Sequence, residues 1–158
     1  MKWKIPVVLV SAVAALALSL TPSAAFARHG GHNLIRADLT PSMPTDDPIN
    51  GVPPGGLPWQ ISRGEVRVRE SGRMDVRIEG LQIPRNGGAD NPIPFIDAVL
   101  YCGGMQVADS GAKPMTVPGG DSRFRVHLMV PKRCADATVL ISPTGAVGAA
   151  YIASAMVK

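Results

Sequence analysis

Residues 63–79 alternate charged and apolar side chains with a period of two. Val66 and Val68 lie between Glu65, Arg67 and Arg69, while Met74, Val76 and Ile78 lie between Asp75, Arg77 and Glu79. A period of two is the mark of half-buried strands, with one face turned to a core and the other to water. The charges also select the pairing. Setting Arg63 opposite Glu79, Glu65 opposite Arg77 and Arg67 opposite Asp75 makes all three neighbours attract. The next pairing that preserves the faces sets Arg67 against Arg77 and Glu65 against Glu79, and like charges directly opposite are destabilising. The attractive register leaves Glu70, Ser71 and Gly72 as the loop, with Gly72 at the position that requires a left-handed backbone. Only Arg69 and Arg73 remain as like neighbours, at the turn end.

The same period recurs downstream. Phe95 to Cys102 reads as a buried strand with Ile96, Ala98, Leu100 and Cys102 on one face, and Gly103-Gly104 turns it into Met105 to Ala108. Met115 to Val117 is a further short piece. Phe124, Val126, Leu128 and Val130 then alternate with Arg123, Arg125, His127 and Met129 until Pro131 stops the strand. Thr138 to Ser142 is rich in β-branched residues, and Ala149 to Val157 is read as a last strand, although its alanines favour helix. Pro84 to Pro94, between the first hairpin and Phe95, is a turn-rich loop. Short strands, regular Gly and Pro turns and no amphipathic helix predict an all-β fold, a single antiparallel β-sandwich of the immunoglobulin-like kind.

The N-terminus constrains location. Lys2 and Lys4 flank an apolar run to Leu20 that ends at Ala25-Phe26-Ala27 before Arg28-His29-Gly30, the layout of a cleavable secretory signal over residues 1–27. No cysteine follows to take a lipid, and no later apolar run reaches the ~20 residues that a bilayer crossing needs. The expected product is secreted, either extracellular or, behind an outer membrane, periplasmic. Losing Lys2 and Lys4 lowers the formal charge from +4 to +2, too little for a nucleic-acid footprint. In an oxidising compartment the two cysteines, Cys102 and Cys134, most economically pair with each other. Residues 28–57, rich in proline and glycine with few paired apolar positions, are expected to form a flexible arm ahead of a β domain at 58–158.

Few residues suggest chemistry. Met105, His127 and Met129 combine thioether and imidazole, a donor set suited to Cu(I), and their spacing is similar to the later part of the motif of periplasmic copper chaperones. That resemblance covers these three positions alone; Pro94 stands where a further ligand belongs, and Arg123 and Arg125 on the same face repel a cation. His29 and His32 near the new N-terminus have no rigid frame to hold a metal. Asp109-Ser110-Gly111 is similar to the nucleophile segment of chymotrypsin-like proteases, yet the domain is too short for a double barrel and the segment reads better as a turn. Glu65, Asp75 and Glu79 are expected to pair with arginines across the hairpin, not to act as acid and base. No catalytic residue and no cofactor is predicted.

Trp59 with the first hairpin, Tyr101-Cys102-Gly103-Gly104, Gly119-Gly120-Asp121-Ser122-Arg123 and Val130-Pro131-Lys132-Arg133-Cys134 together resemble a set of small secreted bacterial β-sandwich proteins. The resemblance implies a fold and a compartment, and no activity. The expectation is therefore a non-enzymatic structural or binding module for an extracellular or envelope ligand. A polyanionic cell-wall polymer docking at Arg69 and Arg73 is the one partner chemistry that the charges suggest. The alternatives are a periplasmic copper-binding protein and, last, a small secreted hydrolase.

Overall fold

The computed structural model describes residues 31–157, so the expected signal at 1–27, together with Arg28 and His29, lies outside the described residues. In chain order the strands are β1 (Asn33–Asp38), β2 (Thr40–Pro41), β3 (Arg63–Arg69) and β4 (Arg73–Glu79). Next come β5 (Ile83–Arg85), β6 (Gly88–Asp90), β7 (Phe95–Cys102) and β8 (Met105–Asp109). The last four are β9 (Lys113–Pro114), β10 (Ser122–His127), β11 (Thr138–Pro143) and β12 (Ala153–Met156). The chain is all-β, with no helix among the described residues. One sheet has the order β1-β3-β4-β10; a second runs β2-β12-β11-β7-β8, with β9 also on β7; β5 and β6 form a separate hairpin. Every pairing between named strands is antiparallel.

The two larger sheets share one hydrophobic core. Val66, Val68, Met74, Val76 and Ile78 of the first sheet belong to the same buried cluster as Ala98, Leu100, Val139, Ile141 and Ala153 of the second. The alternation in β3 and β4 is the cause: each apolar side chain that turns inward sends its charged neighbours outward. Trp59 is also in this core. The hairpin register is the one the charges selected, with Arg63 opposite Glu79, Glu65 opposite Arg77 and Arg67 opposite Asp75. Gly72 has φ of 87°. A Cβ there would lie 2.1 Å from the Leu128 carbonyl oxygen, because the Leu128 amide donates to the Gly72 carbonyl as β10 passes the turn.

Residues 31–57 correct the expectation of a flexible arm, and the folded body begins well before residue 58. β1 adds to the first sheet beside β3, with Ile35 opposite Val68, and β2 pairs with β12. The following stretch then lies over the second sheet, where Val52 forms a second buried cluster with Val99, Tyr101, Leu140 and Tyr151. Hydrogen bonds fix it: the Gly55 amide donates to the Tyr151 carbonyl, and the Tyr151 hydroxyl donates to the Asp47 carbonyl. The prolines and glycines here shape a strap, and isolated apolar residues suffice because each lands on a surface that already exists.

Three smaller expectations also change. The Pro84–Pro94 loop contains the β5–β6 hairpin, closed around Asn86-Gly87. Lys113–Pro114, not Met115 to Val117, supplies the short strand on β7. The strand expected to reach Pro131 ends at His127, although Leu128 stays buried. At the C-terminus β12 is a strand, as expected.

Cys102 and Cys134 form a disulfide that closes a separation of 32 residues. It ties the end of β7 to the connection by which the chain crosses from β10 in the first sheet to β11 in the second. Replacing both cysteines with alanine is expected to lower the unfolding free energy by about 3–4 kcal/mol through lost loop-closure entropy. Gly72→Ala is expected to cost at least ~1 kcal/mol from its left-handed backbone alone, before the clash with Leu128. Urea unfolding followed by tryptophan fluorescence measures both; variants as stable as the parent would contradict these assignments.

Candidate anion-binding surface

The outer face of the first sheet is built by four strands. β3 and β4 present Arg67, Arg69, Arg73 and Arg77, whose stems are half-buried by their neighbours. β10 lies against β4 with Arg123 opposite Arg77, Arg125 opposite Asp75 and His127 opposite Arg73. On the other flank β1 sets Arg36 opposite Arg67 and Asp38 opposite Glu65. The arginines of three sequence-distant segments thus converge on one face.

A groove of about 560 Å³ runs across this face. Six arginines line it, two each from β3, β4 and β10, and only two carboxylates, Glu65 and Asp75, answer them. An open, low-dielectric wall carrying one sign of charge focuses the field on whatever enters. The excess is not visible in the net charge of the chain, because most of the acids lie elsewhere.

Both acids are already engaged. Asp75 receives two hydrogen bonds from Arg73, Nε to Oδ2 at 3.0 Å and Nη2 to Oδ1 at 3.3 Å, and a third from Arg125 Nε. Burial raises the Asp75 pKa, but the hydrogen bonds and charges of Arg125 and Arg73 together outweigh it and hold the carboxyl below its ordinary value. Glu65 meets Arg36 at 3.7 Å, and Glu79, at the far end of β4, pairs with Arg77 of its own strand. These ion pairs differ from the cross-strand ladder expected within the hairpin. The register is the expected one, yet Asp75 bonds along its own strand and to β10 instead of to Arg67. Consequently Arg67, Arg69 and Arg123 have no ion-pair partner among the described residues. The Nε–H groups of Arg67 and Arg69 are withdrawn from solvent and have no acceptor there either.

Such a surface opposes its own folding. Arg36 opposite Arg67, and Arg77 opposite Arg123, are like charges on directly facing positions, an arrangement that destabilises a sheet. The Arg36–Glu65 and Arg77–Glu79 ion pairs offset it in part and leave Arg67 and Arg123 uncompensated.

The other candidates lie on different elements or in exposed segments. Met105 begins β8 at the edge of the second sheet, His127 ends β10 at the edge of the first, and Met129 lies beyond the end of that strand. Met105 and Met129 are 70% and 87% exposed, respectively. Among the described residues no group of three or more His, Cys, Asp or Glu is arranged to hold a metal ion. His32 is exposed just before β1. Asp109-Ser110-Gly111 leads from the end of β8 into the connection to β9: the Asp109 carboxylate accepts from the Gly111 amide, and the Ser110 hydroxyl accepts from the Ala98 amide and donates to the Gly111 carbonyl.

No protein-family model, curated protein or solved structure matches the chain. The site therefore rests on its own geometry.

The depressed Asp75 pKa sets a pH dependence. A carboxyl whose folded value lies below its unfolded value of about 3.9 stabilises the fold fully above that pH and ceases to as the pH falls through the folded value. Asp75→Asn is expected to be less stable than the parent at neutral pH, with the difference shrinking under strong acid. Urea midpoints across that range test this; a gap independent of pH would assign the effect to packing.

Proposed function

We propose that this protein is an exported binding module, not an enzyme, that holds a polyanion on the arginine face of its first sheet. The observation that carries the reading is the groove in which six arginines meet two carboxylates, Asp75 held by two of the six and Glu65 by Arg36 outside them, so that Arg67, Arg69 and Arg123 are left without an ion-pair partner among the described residues. The signal-like N-terminus, the disulfide and the absence, among the described residues, of any helix long and apolar enough to cross a membrane support a secreted product. We read the two sheets on their common core as the layers of a sandwich of the immunoglobulin-like kind, with the 42–56 strap covering one outer face and leaving the other free.

The ligand class follows from the surface. Arginine supplies every cation of the groove, and its planar fork of donors suits anions that accept two hydrogen bonds at once. A long anionic polymer of the cell envelope or its surroundings spans such a face better than a small solute, because the arginines extend over three strands and not into a closed pocket. Aromatic platforms for stacking bases do not line the groove beyond Phe124, so nucleic acid is not the favoured polymer. No observation favours copper or hydrolysis.

Titration of the purified exported protein with long-chain polyphosphate tests the reading. Binding is expected at low ionic strength, with affinity falling as salt rises, and Arg123→Glu is expected to weaken it about tenfold or more by reversing one charge in the groove. Absence of binding at low salt, or binding indifferent to salt and to Arg123→Glu, would overturn it.

A further inference from the structure

The arginines of the groove are not equivalent. Arg73 and Arg125 are held by Asp75, which accepts from both and fixes their guanidiniums against the sheet. Arg77 is committed to Glu79. Arg67 and Arg69 are uncommitted: the acid opposite Arg67 is bound by Arg73 of its own strand and by Arg125 of β10, and the position beside Arg69 is the like-charged Arg73 at the turn. Both belong to β3, an inner strand flanked by β1 and β4, and both stems are half-buried. As alternate residues of one strand they face the same way with a backbone separation of about 6.6 Å.

We propose that Arg67 and Arg69 form a seat for one tetrahedral oxyanion, a phosphate or sulfate monoester group carried on the polyanion, with the Asp75-bound Arg73 and Arg125 as its fixed walls. This deepens the polyanion reading and rests on it. The geometry favours a tetrahedral group over a carboxylate. A carboxylate offers two oxygens, and Asp75 shows how two guanidiniums already saturate them. Either monoester group offers three free oxygens, with close to two negative charges on a phosphate and one on a sulfate, enough to accept from two converging guanidinium forks at once.

The Nε–H groups support the assignment. A donor withdrawn from water without an acceptor costs free energy, and a charged donor costs more than a neutral one. Both guanidiniums carry such an Nε–H, so swinging outward onto an oxyanion satisfies groups that the ligand-free sheet leaves unmet. The seat is specific to arginine. Lysine at either position keeps the charge and loses the fork.

The test keeps charge constant and changes donor geometry. Dextran sulfate, a phosphomonoester-substituted dextran and polyglutamate, matched in charge density, are titrated into the full exported protein and into Arg67→Lys/Arg69→Lys and Arg85→Lys. The double variant is expected to lose about tenfold in affinity for one or both of the tetrahedral-anion polymers while polyglutamate binding stays within about twofold. The two dextrans then identify which ester the seat takes. Arg85→Lys, on the separate β5–β6 hairpin where Arg85 pairs with Asp90, is expected to leave all three unchanged. If the double variant binds every polymer as the parent does, the seat is wrong and the face acts only as a diffuse positive field. If the parent binds none of the three polymers, the polyanion reading itself fails. Circular dichroism and melting temperature establish that the variants are folded, and Arg69→Lys alone, nearer the turn, replaces the double variant should that one not fold; the same loss of tetrahedral-anion affinity is then required of it.

Discussion

The inward demand of the common core governs the rest of the molecule. Val66, Val68, Met74, Val76 and Ile78 are all no more than 2% exposed. With the strand period fixed at two, burying them leaves the intervening residues no choice of side. A slip of one residue would bury the arginines and expose the valines, a change far costlier than any rearrangement of surface charge. Which positions face outward is thus an obligatory consequence of the core, and the arginines that occupy them turn that face into a candidate binding surface.

The second outer face shows a different solution to the same geometry. β7 has two buried sides, with Ile96, Ala98 and Leu100 in the common core and Val99 and Tyr101 in the smaller cluster beneath the 42–56 strap. That layer uses backbone hydrogen bonds to Tyr151 and the hydroxyl of Tyr151 to hold an irregular segment in place. Burial, then the Asp46 and Asp47 carboxylates nearby, push the Tyr151 phenol above its ordinary value, so it stays a neutral donor through the physiological range. One face is sealed by its own chain and the other is open.

Much of this was legible in the residues. The hairpin register followed from three charge pairs, Gly72 from the loop length, the disulfide from compartment and cysteine count, and the inward faces of β7 and β10 from their alternation. What the residues alone concealed were the relations between segments far apart in the chain. Arg123 and Arg125 alternate visibly in sequence, but only the placement of β10 beside β4 brings them to Arg67 and Arg73. Within the hairpin taken alone, five arginines face four acids and the surface looks balanced. Testing the Arg123–His127 alternation against β4, where Arg125 meets Asp75, was the available signal. Residues 33–57 are opaque for a related reason: Ile35, Leu39 and Val52 are too sparse to form a core, yet each completes one made by other segments.

The arginine groove depends on β10 lying beside β4 in the stated register, because that contact assembles it and withdraws Asp75 from Arg67. Interstrand nuclear Overhauser effects in the isotopically labelled protein measure it directly. Backbone contacts placing Arg125 across from Asp75 and Arg123 across from Arg77 are the predicted result. Contacts displaced by two residues, or a β10 that pairs elsewhere, would contradict it.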